Sequence, residues 1–290
     1  VKIKAENLQV KYGNHHALKD VTFELRHEKI YGLLGRNGAG KTSLLSVLAS
    51  FREPSAGMVT INGEEPFENA NLMQQVLFLY NKEYKDESDN VVEMLEDVQR
   101  YRPHFDRDYA NYLVDKFNLD KKKPIKQFSK GMQSSLNVII GLASRAPITI
   151  MDEVYLGMDA PSRELFYKEL LEDQEKHPRM IILSTHLVSE MDYLFDEVIL
   201  LDNGCILLQE ETDSLLSRGA TITGNAELVD EFVASMKQIN SQQLGSTKSV
   251  TVFGELSEQD RANAFTKGLE IAPVSLQELF VHLTQGGNKI

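Results

Sequence analysis

The chain of 290 residues predicts an α/β fold built on a mixed sheet, with a helical insert and a small C-terminal α+β module. Three observations carry that expectation. Apolar strand-like runs alternate with helix-like segments through both halves of the chain, the pattern of a layered α/β domain. Between residues 87 and 118 the apolar period becomes helical. One strand-like run hands over directly to Gly35-Arg36-Asn37-Gly38-Ala39-Gly40-Lys41-Thr42, a complete phosphate-binding loop where a helix should begin.

Taken in order, residues 3–12 and 17–25 alternate polar and apolar side chains around the Gly13-Asn14 turn and read as half-exposed strands. Ile30-Tyr31-Gly32-Leu33-Leu34 is continuously apolar and reads as a buried strand. Residues 41–49 form the helix after the loop, 54–57 a turn, and 59–61 a strand entering the tight turn Asn62-Gly63. Residues 76–80 are another apolar strand. In the insert, placed at about residues 85–145, Val91, Met94, Leu95 and Val98 share one helical face and Tyr109, Leu113, Val114 and Phe117 another. The sheet resumes at 148–151, 181–183, 198–201 and 205–208. After about Ser217 the character changes, which divides the chain into residues 1–217 and 218–290. In the tail a helix over 228–236 is interrupted by the polar stretch 235–249, followed by a strand at 250–253 and a helix at 258–266. Leu276, Leu279, Phe280 and Leu283 mark one face of a last helix.

Composition narrows the function classes. The formal charge is −12 and the basic residues form no stripe; Lys121-Lys122-Lys123 reads as a solvated turn, so direct nucleic-acid binding is not expected. Cys205 is the single cysteine, leaving no intramolecular disulfide and no thiolate zinc cluster and fitting a reducing compartment. No stretch approaches ~18 continuous apolar residues, so no transmembrane segment is expected and membrane contact should pass through a partner.

The phosphate loop supplies the first chemistry. Glycines let the backbone N–H groups of Gly35, Asn37, Gly38 and Gly40 turn toward phosphate oxygens, and the helix beginning near Lys41 adds its positive end. Lys41 reaches the β- and γ-phosphates, Thr42 suits magnesium, and Ser43 beside it in the helix start is taken as a further nucleotide-binding residue. Asp152 and Glu153 end the apolar strand at 148–151, the first suited to magnesium and the second to orienting an attacking water. His186 follows the strand at 181–183, at the edge of a parallel sheet where ligands usually sit, and could contact the γ-phosphate; a structural histidine or helix cap is the competing account. Asp159, read alone, is an ordinary helix cap.

From about Ala5 to Glu210 this ordered set resembles the ATP-binding subunit of an ATP-binding-cassette transporter. The resemblance implies that Tyr12 stacks on adenine, that residues 35–42 hold the phosphates, and that Ser129 and Gly131 in Phe128-Ser129-Lys130-Gly131-Met132 contact ATP held by the opposite subunit. It also implies magnesium at Thr42 and Asp152, a catalytic Glu153, a loop through Asp159 joining the two sites, and a switch role for His186. Three departures stand out. Asn81 occupies the place of the usual loop glutamine at the magnesium, Lys130 and Met132 replace a glycine and a glutamine, and Val154 replaces a proline.

The implied activity is hydrolysis of ATP with Mg2+ in a nucleotide-sandwich dimer, expected to be a homodimer. It would drive transport through separate membrane-spanning subunits from the inner face of the cell membrane. The extra tail leans the resemblance toward exporters. The alternative is a cassette ATPase of repair or translation, or an ATP-dependent switch, with no transport partner. The tail is expected to stabilise or regulate the assembly without supplying a catalytic residue, so a chain ending near Ser217 should still bind ATP if it folds.

Overall fold

The computed structural model describes residues 1–82 and 84–285. The alternating amino-terminal segment forms a hairpin in which β1 (Lys2–Tyr12) and β2 (His15–Arg26) run antiparallel, with Ile3, Ala5, Leu8 and Val10 buried. β3 (Ile30–Leu34) is buried at every position, as a strand covered on both faces must be. β4 (Ala56–Ile61) returns to β1, giving a small antiparallel sheet in the order β2-β1-β4. β5 (Val76–Tyr80), β6 (Ile148–Asp152), β7 (Met180–Thr185) and β8 (Glu197–Asp202) join β3 in one parallel array, β5-β6-β7-β3-β8. β9 (Cys205–Glu211) closes that sheet antiparallel to β8.

Period-two alternation decides which layer each side chain joins. Tyr31 and Leu33 of β3 and Ile182 of β7 enter the core shared with the small sheet and with Leu44, Leu45 and Leu48 of the helix Lys41–Leu48. Leu34, Ile181 and Leu183 enter the opposite core, beneath the helices Lys130–Ser144 and Ala160–Lys176. Each such side chain contributes roughly 1.5–3 kcal/mol of burial. The insert helices Val91–Tyr101 and Arg107–Lys116 dock on this second core through Val91, Leu95, Leu113 and Val114, the faces that their helical period selects. Because the parallel strands point the same way, the loops after β3, β5, β6 and β7 all emerge at one edge. That edge carries the candidate site.

Beyond β9 the chain builds β10 (Gly219–Asn225), β11 (Gln238–Leu244), β12 (Thr247–Phe253) and β13 (Glu270–Pro273) into a four-stranded antiparallel sheet, order β11-β12-β10-β13. Ile222, Val229, Val233, Val250 and Ala264 form its own core with the helices Ala226–Val233 and Glu258–Thr266. The helix Leu276–Gln285 leaves that core; Leu276, Leu279, Phe280 and Leu283 join the large core of the main sheet instead.

Two local expectations change. Residues 235–249 do not merely interrupt a helix: they contain β11 and the turn into β12, because an edge strand can expose Gln and Ser side chains while its backbone bonds to a neighbour. The turn expected at 54–57 is already β4 from Ala56, held by pairing of Ala56 with Gln9.

Candidate nucleotide site

The phosphate loop leaves β3 and ends at Gly40, whose φ of +108° and whose missing Cβ are both required, since a Cβ would stand 2.5 Å from the Ala17 carbonyl oxygen. Lys41 is buried, its Nζ donating to the Gly35 carbonyl at 2.7 Å and lying 3.5 Å from Glu153 Oε1. Its cation thus sits at the centre of the curled loop. Thr42 Oγ1 donates to Asp152 Oδ2 at 2.7 Å, bringing together two residues far apart in sequence.

Asp152 ends β6, and its other carboxylate oxygen accepts from Ser184 Oγ of β7. The Glu153 backbone N–H donates to the same Ser184 hydroxyl at 3.1 Å. Glu153 itself has φ +49°, a left-handed conformation that a non-glycine residue adopts at a cost of order 1–3 kcal/mol. Its Oε1 is 3.0 Å from His186 Nδ1. Behind them Tyr155 Oη lies 2.8 Å from Thr185 Oγ1 and accepts from the His186 backbone N–H at 3.4 Å; burial pushes the Tyr155 phenol up to about 12, so it stays a neutral post. Lys41, Thr42, Asp152, Glu153 and Asn81 line one cleft of about 690 Å³ together with Asn37 and Gly38.

Tyr12 is half exposed at the end of β1, its hydroxyl 3.3 Å from Ser43 Oγ. Ser129, Gly131 and Asp159 belong elsewhere. Ser129 caps the helix Lys130–Ser144, accepting from the Met132 N–H at 3.2 Å. A Cβ on Gly131 would stand 2.5 Å from the Gly157 carbonyl oxygen, so this helix start and the loop through Gly157 pack backbone to backbone. Asp159 caps the helix Ala160–Lys176, accepting from the Ser162 N–H at 2.9 Å, and hydrogen bonds from the Ser162 hydroxyl and N–H hold its carboxyl below the usual range. None of the three lines the cleft with Lys41.

Several neighbours carried no signal in the sequence reading. Ser184 bonds both acidic positions, and the Arg52 guanidinium lies 4.0 Å over the Tyr12 ring. Phe51, Phe78 and Tyr80 form a cluster of rings beside Asn81, with Phe51 65% exposed. On the other side of the phosphate loop, Phe280 and Thr284 of the last helix share a second cleft with Asn37, Gly38 and His186.

A 31% identical relative, an uncharacterized ABC transporter ATP-binding protein of Methanocaldococcus jannaschii, aligns over 70% of this chain and 75% of its own length. The chain belongs to the family of ABC transporter ATP-binding proteins. The family profile described as ABC transporter matches residues 18–155, which include the phosphate loop and the Asp152-Glu153 pair. The Nod factor export ATP-binding protein I of Ralstonia nicotianae is 28% identical across 74% of this cassette chain and 68% of its own. The fold is also that of a solved ATP-binding cassette, described as a dimeric post-hydrolysis state bound to ADP and Pi, with a TM-score of 0.61 and 18% identity over 72% of this chain and 98% of that one. Among the described residues no helix of the cassette protein is long and apolar enough to cross a membrane.

Proposed function

We propose that this chain hydrolyses ATP in a nucleotide-sandwich dimer and drives export through separate membrane-spanning subunits. The observation that carries the reading is the divided site: Lys41, Thr42, Asp152 and Glu153 share one cleft, whereas Ser129 and Gly131 lie outside it. A second subunit, most simply another copy, then supplies Ser129 and Gly131 to the exposed side of the phosphates. In this reading Lys41 and the loop N–H groups bind phosphate, Tyr12 stacks the base, and Glu153 accepts a proton from the attacking water while His186 holds its carboxylate. Asp159 belongs to the loop that joins the two sites.

Thr42, Asp152 and Asn81 offer only oxygen donors around one cleft, a set that fits a hard cation such as Mg2+. When bound there, the ion supplies positive charge to the phosphate oxygens. Asn81 is one methylene shorter than glutamine and would hold such an ion through water.

The division into residues 1–217 and 218–290, with the insert at about 85–145, is supported by the separate core around Ile222 and Val250, although the helix Leu276–Gln285 packs back on the main core. The exposed rings of Phe51 and Tyr80 beside Asn81 offer an apolar face for a membrane-spanning partner, which supports a reading in which the protein works at the inner face of the membrane. Export rests on the tail and on the Ralstonia relative, whose name specifies export.

Ser129→Ala tests the composite site. Loss of one hydroxyl bond to a charged phosphate costs roughly 1.5–3 kcal/mol, so ATP-driven dimerisation should weaken by more than ~10-fold while ATP binding to the monomer is unchanged. Light scattering with and without ATP reads the dimer, and a fluorescent ATP analogue reads binding. Equal dimerisation by the variant and the unsubstituted protein overturns the divided site.

A further inference from the structure

His186 stands in a segment that cannot hold itself. β7 ends at Thr185, and the following helix, Val188–Met191, is a single turn without a side-chain cap, far below the length at which a helix is stable alone. What fixes it is packing. Its polar side is held by Arg163, whose Nε and Nη2 donate to Glu190 at 2.8 and 3.2 Å. Its apolar side, Val188 and Met191, is fully buried in the same core as Leu276, Leu279, Phe280 and Leu283 of the last helix, and the two helices pack directly on one another. The last helix then continues to the site itself. Phe280 and Thr284 line a cleft of about 500 Å³ together with Arg36, Asn37, Gly38 and His186.

We propose that the last helix is a positioning element for His186, with Phe280 its principal positioning residue. It rests on the hydrolytic reading above and deepens it: the carboxy-terminal module would set the geometry of a residue that contacts Glu153. The path is short. Phe280 shares the core of Val188 and Met191, on whose helix its own helix packs; those residues follow His186 within five positions; and His186 Nδ1 is 3.0 Å from Glu153 Oε1. Thr284 takes no part by its hydroxyl, which donates back to the Phe280 carbonyl at 2.8 Å. The tail touches no reacting atom in this account. It acts only through the imidazole.

The test is made on the full chain with Phe280→Ala, Phe280→Leu and Leu283→Ala, the last a milder loss in the same face should Phe280→Ala fold poorly. The histidines, seven in the sequence, are labelled with nitrogen-15, and the His186 imidazole signal is identified with His186→Gln. Below the melting temperature of each variant, Phe280→Ala and Leu283→Ala should shift or broaden the His186 signal while those of His104 and His177, which share a cleft at the opposite ends of β6 and β7, stay in place. Phe280→Leu should restore it. At saturating ATP and magnesium, Phe280→Ala should lower kcat by ~10-fold or more, as expected when a group near the chemistry is displaced by a fraction of an ångström to an ångström. Its affinity for a fluorescent ATP analogue should change less than ~2-fold, because Lys41 and Thr42 line the other cleft, which Phe280 does not enter. An unmoved His186 signal in both alanine variants overturns the proposal, as does a displaced imidazole with unaltered kcat. If the unsubstituted protein releases no phosphate, the hydrolytic reading fails separately, and the imidazole signal alone decides the positioning.

Discussion

Glu153→Gln is expected to lower phosphate release by roughly 10²–10⁴-fold, the range for removing a general base, while ATP remains bound. Glutamine keeps the shape and tolerates the φ of +49° as well as glutamate does, so the loop after β6 should not move. What changes is basicity: the amide cannot accept a proton from water at neutral pH. The negative charge near the triphosphate also disappears, which removes a repulsion and leaves binding equal or tighter. Under the divided-site reading, ATP that is bound and not hydrolysed holds two subunits together, so the variant should accumulate as an ATP-bound dimer. Phosphate release and light scattering on the same sample check both halves. Undiminished hydrolysis would remove Glu153 from the chemistry.

The parts of this site that were legible in the sequence are those whose chemistry is contiguous or follows directly from strand period. Gly35 to Thr42 is one unbroken stretch, and Asp152, Glu153 and His186 each come at the end of an apolar run, so their place at a sheet edge follows from the run alone. Ser184 was not legible as a partner of Asp152. Their contact depends on β7 lying beside β6 in the register that pairs Asp152 with Ser184, and strand order is not encoded locally. Phe280 was legible as one face of a helix, but the surface it covers could not be read, since the choice between the tail's own core and the main core is made by three-dimensional closure. β11 escaped for a different reason: its Gln and Ser side chains are exposed at a sheet edge, so neither alternation nor hydrophobicity marks it.

Lys41→Ala should act on the other quantity, abolishing tight ATP binding before chemistry is reached. Lys41 is 6% exposed, its ammonium 2.7 Å from the Gly35 carbonyl and 3.5 Å from Glu153, so it is a buried cation enclosed by the loop that would receive the phosphates. Alanine removes that charge and leaves the Glu153 carboxylate facing the triphosphate without its counter-ion. One charge-assisted hydrogen bond to phosphate is worth roughly 1.5–3 kcal/mol, which corresponds to a ~10–150-fold loss of affinity. The fold should survive, because the apolar residues of the same helix, Leu44, Leu45 and Leu48, keep their core contacts. Lys41→Arg is the informative companion: it keeps the charge but replaces a compact ammonium with a planar fork too large for the curl between Gly35 and Gly40, so it should bind little better than alanine. Titration with a fluorescent ATP analogue, beside a melting curve for each variant, separates lost affinity from lost fold. Binding by Lys41→Ala within ~2-fold of the unsubstituted protein would be too small for a charge-assisted contact and would place the triphosphate away from this loop.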